Sequence, residues 1–251
     1  MMEQASIAEE SAPAEWTSEL LKVRQETPTV RTFFFGRPRL PWSFQAGQYS
    51  VLTLPEVSDP RGSSRTFSIS SAPGDRDALA ITTRLGPSPF KIHLFAMKAG
   101  DRARLWGPFG TFVLDHQRAA VLLAGGIGVT PFRSMVRQAR QDGRHAPIVM
   151  LSSSHTADEL VYGEEMEELS RAWRGLRWLP SVTRPQDGSW PWAGRTGRID
   201  ANLVRLETAS LDRPVYYLCG PPAMVGKLHH LLVREMGVPE LDTRTELFRG
   251  Y

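Results

Sequence analysis

The chain has 251 residues, 41% hydrophobic and 23% charged, with a formal net charge of +3. That length exceeds one typical domain, and the composition is that of a globular protein able to bury its own core. The mild positive balance holds no basic run, which argues against nucleic acid as a partner, and no apolar stretch reaches the roughly 18 residues a membrane span needs. The single cysteine, Cys219, excludes an internal disulfide framework and a four-cysteine iron–sulfur cluster within these residues, and it points to a reducing, cytoplasmic setting.

In chain order, Met1 to Glu15 is acidic and rich in small residues, and reads as a flexible tail. From Trp16 to His116 the pattern is one of short strands at Glu19–Gln25, Val30–Gly36, Gln48–Leu54, Thr66–Ser71, Leu79–Arg84, Arg102–Trp106 and Phe112–Leu114. Pro, Gly and Asp turns separate them, which predicts a closed antiparallel barrel. One helix over Ser88 to Met97 places Phe90, Leu94 and Met97 on one side.

After residue 116 the pattern changes. Ala119–Leu123 is a continuous apolar run, as in a strand buried on both faces. Helices at Thr130–Asp142, Ala157–Ala172, Asn202–Glu207 and Pro222–Glu235 alternate with strands at Pro147–Leu151, Leu176–Val182 and Val215–Cys219. Met224, Leu228 and Leu231 form the ridge of the last helix. Such alternation predicts an α/β doubly wound parallel sheet over residues 117–251, following a barrel domain over residues 16–116. The adjacent His229 and His230 point to different helix faces and no histidine has ligand spacing, so no metal is expected. Trp190 and Trp192 fall in a Pro/Gly-rich loop and are expected to pack beneath it.

Three segments carry the chemistry: Arg65-Thr66-Phe67-Ser68, then Gly125-Gly126-Ile127-Gly128-Val129-Thr130-Pro131, then Cys219-Gly220-Pro221-Pro222-Ala223-Met224. Each stands at a predicted strand end, and their order resembles that of the ferredoxin–NADP reductase family. The resemblance implies a flavin on the barrel and a nicotinamide nucleotide on the parallel sheet.

On the flavin side it implies that Arg65 grips a pyrophosphate bidentately, Phe67 stacks on the isoalloxazine and Ser68 stands beside the ring's redox-active nitrogen, with Thr66 beside them. Phe67 replaces the family's usual tyrosine, so stacking survives and a hydroxyl contact is lost. A second flavin segment runs through Thr82, Thr83 and Arg84 to the helix start at Ser88, where helix N-terminal amides suit phosphate. Lys91 stands where many relatives carry a phosphate-contacting serine, and either Lys91 or Ser88 serves that purpose. FAD is the expected flavin, with FMN as the alternative.

On the nucleotide side Gly125, Gly126 and Gly128 let backbone amides approach a pyrophosphate. The resemblance puts Val129, Thr130 and Pro131 near the nicotinamide. The loop Cys219, Gly220, Pro221, Pro222 and Met224 lies at a strand's carboxyl end, with the Cys219 thiol beside the ring. The catalytic set is then Ser68, Thr130 and Cys219, acting by orientation. His155 and Arg184, with no acidic residue ending the second strand, favour NADPH over NADH. Phe248, or else Tyr251, shields the second flavin face.

The resemblance implies an oxidoreductase that moves electrons between NAD(P)H and a separate one-electron carrier such as a ferredoxin, by hydride transfer to flavin. Its rivals are the reductase component of a multicomponent oxygenase and a non-catalytic electron-transfer subunit.

Overall fold

The computed structural model describes residues 12–39 and 42–248. The first half is a six-stranded antiparallel sheet of β1 (Ala14–Thr27), β2 (Val30–Phe35), β3 (Tyr49–Thr53), β4 (Ser64–Ser68), β5 (Leu79–Arg84) and β6 (Arg102–Phe109). Its spatial order is β4-β3-β6-β1-β2-β5. A bridge from Ile69 to Ile81 brings the end of β4 back to β5 and closes the barrel. Alternation on β6 shows why the sheet curls: Ala103 and Leu105 point in, while Arg102, Arg104 and Trp106 point out. Phe33, Phe35, Leu52, Leu79, Ile81 and Leu105 fill the interior with no exposed surface.

Helix α1 (Pro89–Ala96) crosses one end of the barrel, plugging it with Phe90 and Leu94. Its start is set by Ser88, whose hydroxyl accepts from the Lys91 amide at 3.3 Å, a cap of a kind that contributes about 1 kcal/mol.

The second half is a parallel sheet of β7 (Ala120–Gly125), β8 (Ile148–Ser154), β9 (Leu176–Val182), β10 (Arg195–Thr196), β11 (Val215–Gly220) and β12 (Thr243–Leu247), ordered β10-β9-β8-β7-β11-β12. Helices α2 (Val129–Gln141) and α3 (Gly163–Ala172) cover one face, and α4 (Ala201–Thr208) and α5 (Pro222–His230) the other. The two cores divide by strand alternation. Ala120, Leu122 and Ala124 join Phe132, Met135 and Met166, while Val121 and Leu123 join Leu203, Val204 and Leu228. The chain runs outward from β7 to β10 and then returns to β11 on the other side of β7. The switch in direction therefore falls between the loops after β7 and β11, where doubly wound sheets bind ligands.

Several sequence expectations need correcting. The expected strand Phe112–Leu114 is not one. Gly110 turns the chain at φ +94°, and the Phe112 ring packs instead on Phe132 and Tyr217 at 5.9 and 5.7 Å. Residues 14 and 15, assigned to the tail, open β1, while residues 1–11 lie outside the described ones. The helix expected over Ala157–Ala172 is broken at Tyr162, whose φ of 61° is left-handed, so α3 begins only at Gly163. The helix expected over Pro222–Glu235 ends at His230 and passes into a π turn over Leu231–Glu235. Trp190 does not pack under its loop but stands 70% exposed. The short strand β10 was not foreseen.

Helix α2 ties the halves together. Ser134 Oγ donates to the Ser71 carbonyl at 2.6 Å, Arg137 pairs with Asp75 at 2.8 Å, and Gly74 N donates to Gln138 Oε1 at 2.8 Å.

Candidate active site

A cavity of about 550 Å³ opens where β4 and β5 of the barrel face the loop after β7 and the C-terminal strand β12. It is long enough in residue terms to have two chemically different ends.

At one end Arg61, Arg65 and Lys91 line the wall. Arg65 is folded into its own loop: Nη1 donates to the carbonyls of Arg61, Gly62 and Ser64 at 3.0, 2.7 and 2.8 Å. Its Nη2 lies 2.8 Å from Asp59 Oδ1, yet this buried atom has no aligned hydrogen-bond acceptor. The carboxyl of Asp59 is held below its usual range, first by the Arg61 amide. Lys91 Nζ donates to Thr83 Oγ1 and to the Arg84 carbonyl, and rests 5.3 Å from the Phe67 ring centre. Burial, then the charges of Arg65 and Arg61, push its ammonium down to about 8. Three cations against one carboxylate leave a surplus of positive charge that an anion would relieve.

At the other end Ser68 Oγ donates to Glu246 Oε1 at 3.2 Å, a bond between β4 of the barrel and β12 of the parallel sheet. Burial pushes Glu246 up to about 7, the Ser68 bond opposing. Ile127, Thr130 and Phe248 complete this end. Phe248 is pinned by its amide, which donates to the Gly220 carbonyl at 3.0 Å.

The two glycine-bearing loops meet behind Thr130. A Cβ on Gly128 would lie 2.2 Å from the Cys219 carbonyl oxygen, so only glycine lets the loops pack backbone to backbone. Gly126, at φ +51°, has open space above it. Among the described residues no side chain caps the N-terminus of α2 or of α5, and the amides of Val129, Met224 and Val225 donate to backbone carbonyls instead.

A family model for the oxidoreductase NAD-binding domain matches residues 122–230. Ferredoxin–NADP reductase B of Sorangium cellulosum (strain So ce56) is 32% identical over 240 residues, spanning 91% of this chain and 96% of that protein. The chain belongs to the ferredoxin–NADP reductase family. "Phenol hydroxylase P5 protein" of Acinetobacter pittii (strain PHEA-2) is 25% identical over 93% of the chain, and the chain spans 65% of its length. A ferredoxin NADP+ reductase from Neisseria gonorrhoeae, solved with bound FAD and NADP, shares the fold with a TM-score of 0.76 and 24% identity, over 93% of this chain and 98% of that one.

As a ferredoxin–NADP reductase family protein, the chain is an NAD(P)H-dependent flavoprotein oxidoreductase with FAD and NAD(P)H as its cofactors. The residues present fit that pair. The surplus cations and the buried, unaligned Nη2 of Arg65 suit a pyrophosphate, and the open space above Gly126 lets a second one approach the backbone of the loop after β7.

The structure gathers Arg65, Thr66, Phe67, Ser68, Thr82, Thr83, Arg84, Ser88, Lys91, Thr130 and Phe248 around the one cavity. Ser88 is committed as the cap of α1, which leaves Lys91 as the polar group aimed inward. Phe67 is half-buried and stacked on Phe90 at 6.1 Å. Arg84 also reaches across to Glu159 at 3.2 Å. Cys219 is fully buried and does not line the cavity, and burial pushes its thiol well up, with Glu246 adding to the effect. Gly125, Pro221 and Met224 pack on one another behind the loops. His155 and Arg184 stand together away from the cavity, the Arg184 amide donating to the His155 carbonyl at 2.7 Å, both side chains exposed. Tyr251, the alternative shielding aromatic, lies outside the described residues.

Glu246 is the residue that sequence reasoning missed. Its signal was present: it is an acidic residue two positions before the shielding aromatic Phe248, near the end of a strand that borders the cavity.

Proposed function

We propose that this reductase draws electrons from NADPH and delivers them singly to a separate iron–sulfur carrier such as a ferredoxin. When bound, FAD supplies the exchange between a two-electron hydride and single electrons. Arg65 and Lys91 hold its pyrophosphate, and Phe67 and Phe248 flank its ring. Ser68 and Thr130, from the two halves, bracket the transfer point and orient the partners. Cys219 acts only through its backbone, by setting where the Gly128 turn stands.

The observation that carries this reading is the Ser68–Glu246 bond across the two halves. It joins the cavity to a carboxyl poised near neutrality, so Ser68 Oγ can relay a proton, passing its own to ionised Glu246 as it takes another from the cavity side and so remaining a hydroxyl throughout. NADPH is favoured by His155 and Arg184, which stand exposed at the carboxyl ends of β8 and β9. Nearby Asp158 is already engaged with the Ser189 amide at 2.6 Å. Relatedness to a phenol hydroxylase component favours a second reading, in which the acceptor is an oxygenase partner.

Anaerobic mixing of the yellow protein with each nucleotide tests the proposal. NADPH should bleach it, and faster than NADH. Absence of bleaching with both would leave only a non-catalytic carrier, and faster bleaching by NADH would reverse the donor assignment.

A further inference from the structure

Tyr162 is a buried aromatic in a left-handed backbone conformation, at φ 61° and ψ 22°. Arg213 is the one other non-glycine residue with positive φ among those described, and its side chain is exposed. Such a conformation is costly for an aromatic side chain and persists only where the surroundings determine it. Here they do. The Tyr162 hydroxyl leaves the parallel-sheet half and donates to Thr82 Oγ1 on β5 of the barrel. Burial holds the phenol protonated, so it remains a donor at any working pH.

Thr82 Oγ1 is a junction. It also meets Thr32 Oγ1 at 2.7 Å and Ser70 Oγ at 3.0 Å, and Thr82 lines the cavity. The Arg133 guanidinium sits 4.8 Å from the Tyr162 ring centre and donates through Nη1 to the Ser70 carbonyl at 2.7 Å. Ser70 lies two residues beyond Ser68. Arg133 lies one turn beyond Thr130 on α2, on the same helix face. The hydroxyl junction and the guanidinium thus lie within three residues of both walls of the transfer site.

We propose that Tyr162 is a positioning residue for hydride transfer, acting through Thr82 to fix the separation of the barrel wall from the Thr130 wall. The break that places it between the short turn at Ala157–Glu159 and α3 serves this contact: a continuous helix would carry the ring elsewhere. Transfer between stacked rings depends steeply on their separation, so a small loosening here appears in rate before it appears in binding. The inference rests on the functional reading above.

The test uses the flavin-loaded protein and the variant Tyr162→Phe, which keeps the ring and its contact with Arg133. Flavin content and nucleotide half-saturation should stay within about twofold, while flavin reduction at saturating nucleotide slows by roughly five- to twentyfold. The long-wavelength absorbance of stacked nicotinamide and flavin should weaken. Without nucleotide, amide exchange should quicken at residues 82–84 and 127–130 but not at Leu122 or Leu218 in the sheet core. A purely structural role would instead lower flavin content and raise exchange throughout. If Tyr162→Phe does not fold, Thr82→Val removes the same bond from the other side and, because Thr82 itself lines the cavity, is read only by amide exchange at residues 127–130 against Leu122 and Leu218. Wild-type rate, absorbance and exchange in the flavin-loaded variant would overturn the proposal. Failure of the wild-type protein to be reduced would instead overturn the functional reading, with the exchange measurement still deciding the role of Tyr162.

Discussion

At one end of the cavity Arg61, Arg65 and Lys91 line the wall, with Arg65 paired to Asp59; at the other Glu246 has the Ser68 hydroxyl as its hydrogen-bond donor and, among the described residues, no cation among the influences on its titration. Burial makes charge costly at both ends, but the relief differs. The cation end needs an anion, and a dinucleotide brings one that stays. The carboxylate end needs a proton, and a proton comes and goes. One end is therefore built for retention and the other for turnover, and the same desolvation serves both by acting on opposite signs of charge.

The largest effect should come from removing the retaining end. Arg65→Ala deletes the guanidinium and the bonds that shape the Arg61–Ser64 loop, and it leaves the Asp59 carboxylate without its partner. Flavin content after gel filtration, read as the ratio of flavin to protein absorbance, should fall to about a tenth or less, in keeping with loss of charge-assisted bonds. Full retention would show that the cation end does not hold the pyrophosphate.

A smaller effect should follow at the other end. Glu246→Gln keeps the size and a hydrogen-bonding atom but fixes the charge. Flavin retention should be unchanged, and electron delivery to a one-electron acceptor should drop by roughly a hundredfold, the scale of a lost general base. In the wild type that delivery should rise as pH climbs through about 7, because ionised Glu246 takes the departing proton. The variant should give a flat profile.

Stability gives an independent check. The folded-state value, about 7, lies above that of an unfolded glutamate, so between the two the native state binds the extra proton. Its stabilising contribution is complete below about pH 4.5 and lost as pH rises through 7, by at most about 3.5 kcal/mol. Urea unfolding of the flavin-free protein at pH 5, 7 and 9 should show that decline in the wild type and not in Glu246→Gln.

The contrast also explains what the sequence could reveal. Arg65 to Ser68 and the Gly125 to Pro131 loop were legible because each is a short run whose meaning lies in its own turn or strand end. Strand alternation and the shift from short strands to alternating strands and helices were enough for the two architectures. Glu246 was not legible, because its partner is 178 residues away and its elevated titration exists only once both halves bury it. The broken helix at Tyr162 was hidden for a related reason. Locally Ala157–Ala172 reads as one helix, and only the contact with Thr82 on the other half makes the left-handed residue worthwhile. Phe112–Leu114 misled in the opposite direction: an apolar triplet that looks like a strand is used to bury Phe112 against the second half.

The smallest predicted effect concerns Lys91, and it separates retention from stability within a single side chain. Lys91→Met keeps the length and the contact with Phe67 but removes one of three cations. With Arg65 intact, flavin affinity should weaken by roughly tenfold, the low end for one charge-assisted bond. The ammonium titrates near 8 before flavin binds, so it is charged below that pH and neutral above it. Wild-type flavin affinity should therefore fall as pH rises past 8 and converge on that of the variant, while Lys91→Arg should hold its affinity to higher pH. Flavin-free stability should move the other way. An ammonium whose folded value is depressed costs stability while charged, so the apoprotein should gain stability as pH rises from about 8 towards the unfolded lysine value near 10.4. Fluorescence titration of the apoprotein with FAD, alongside its urea midpoint, would read both trends on one preparation. If wild-type affinity stayed level through pH 8, the surplus of positive charge at this end would not be what holds the flavin.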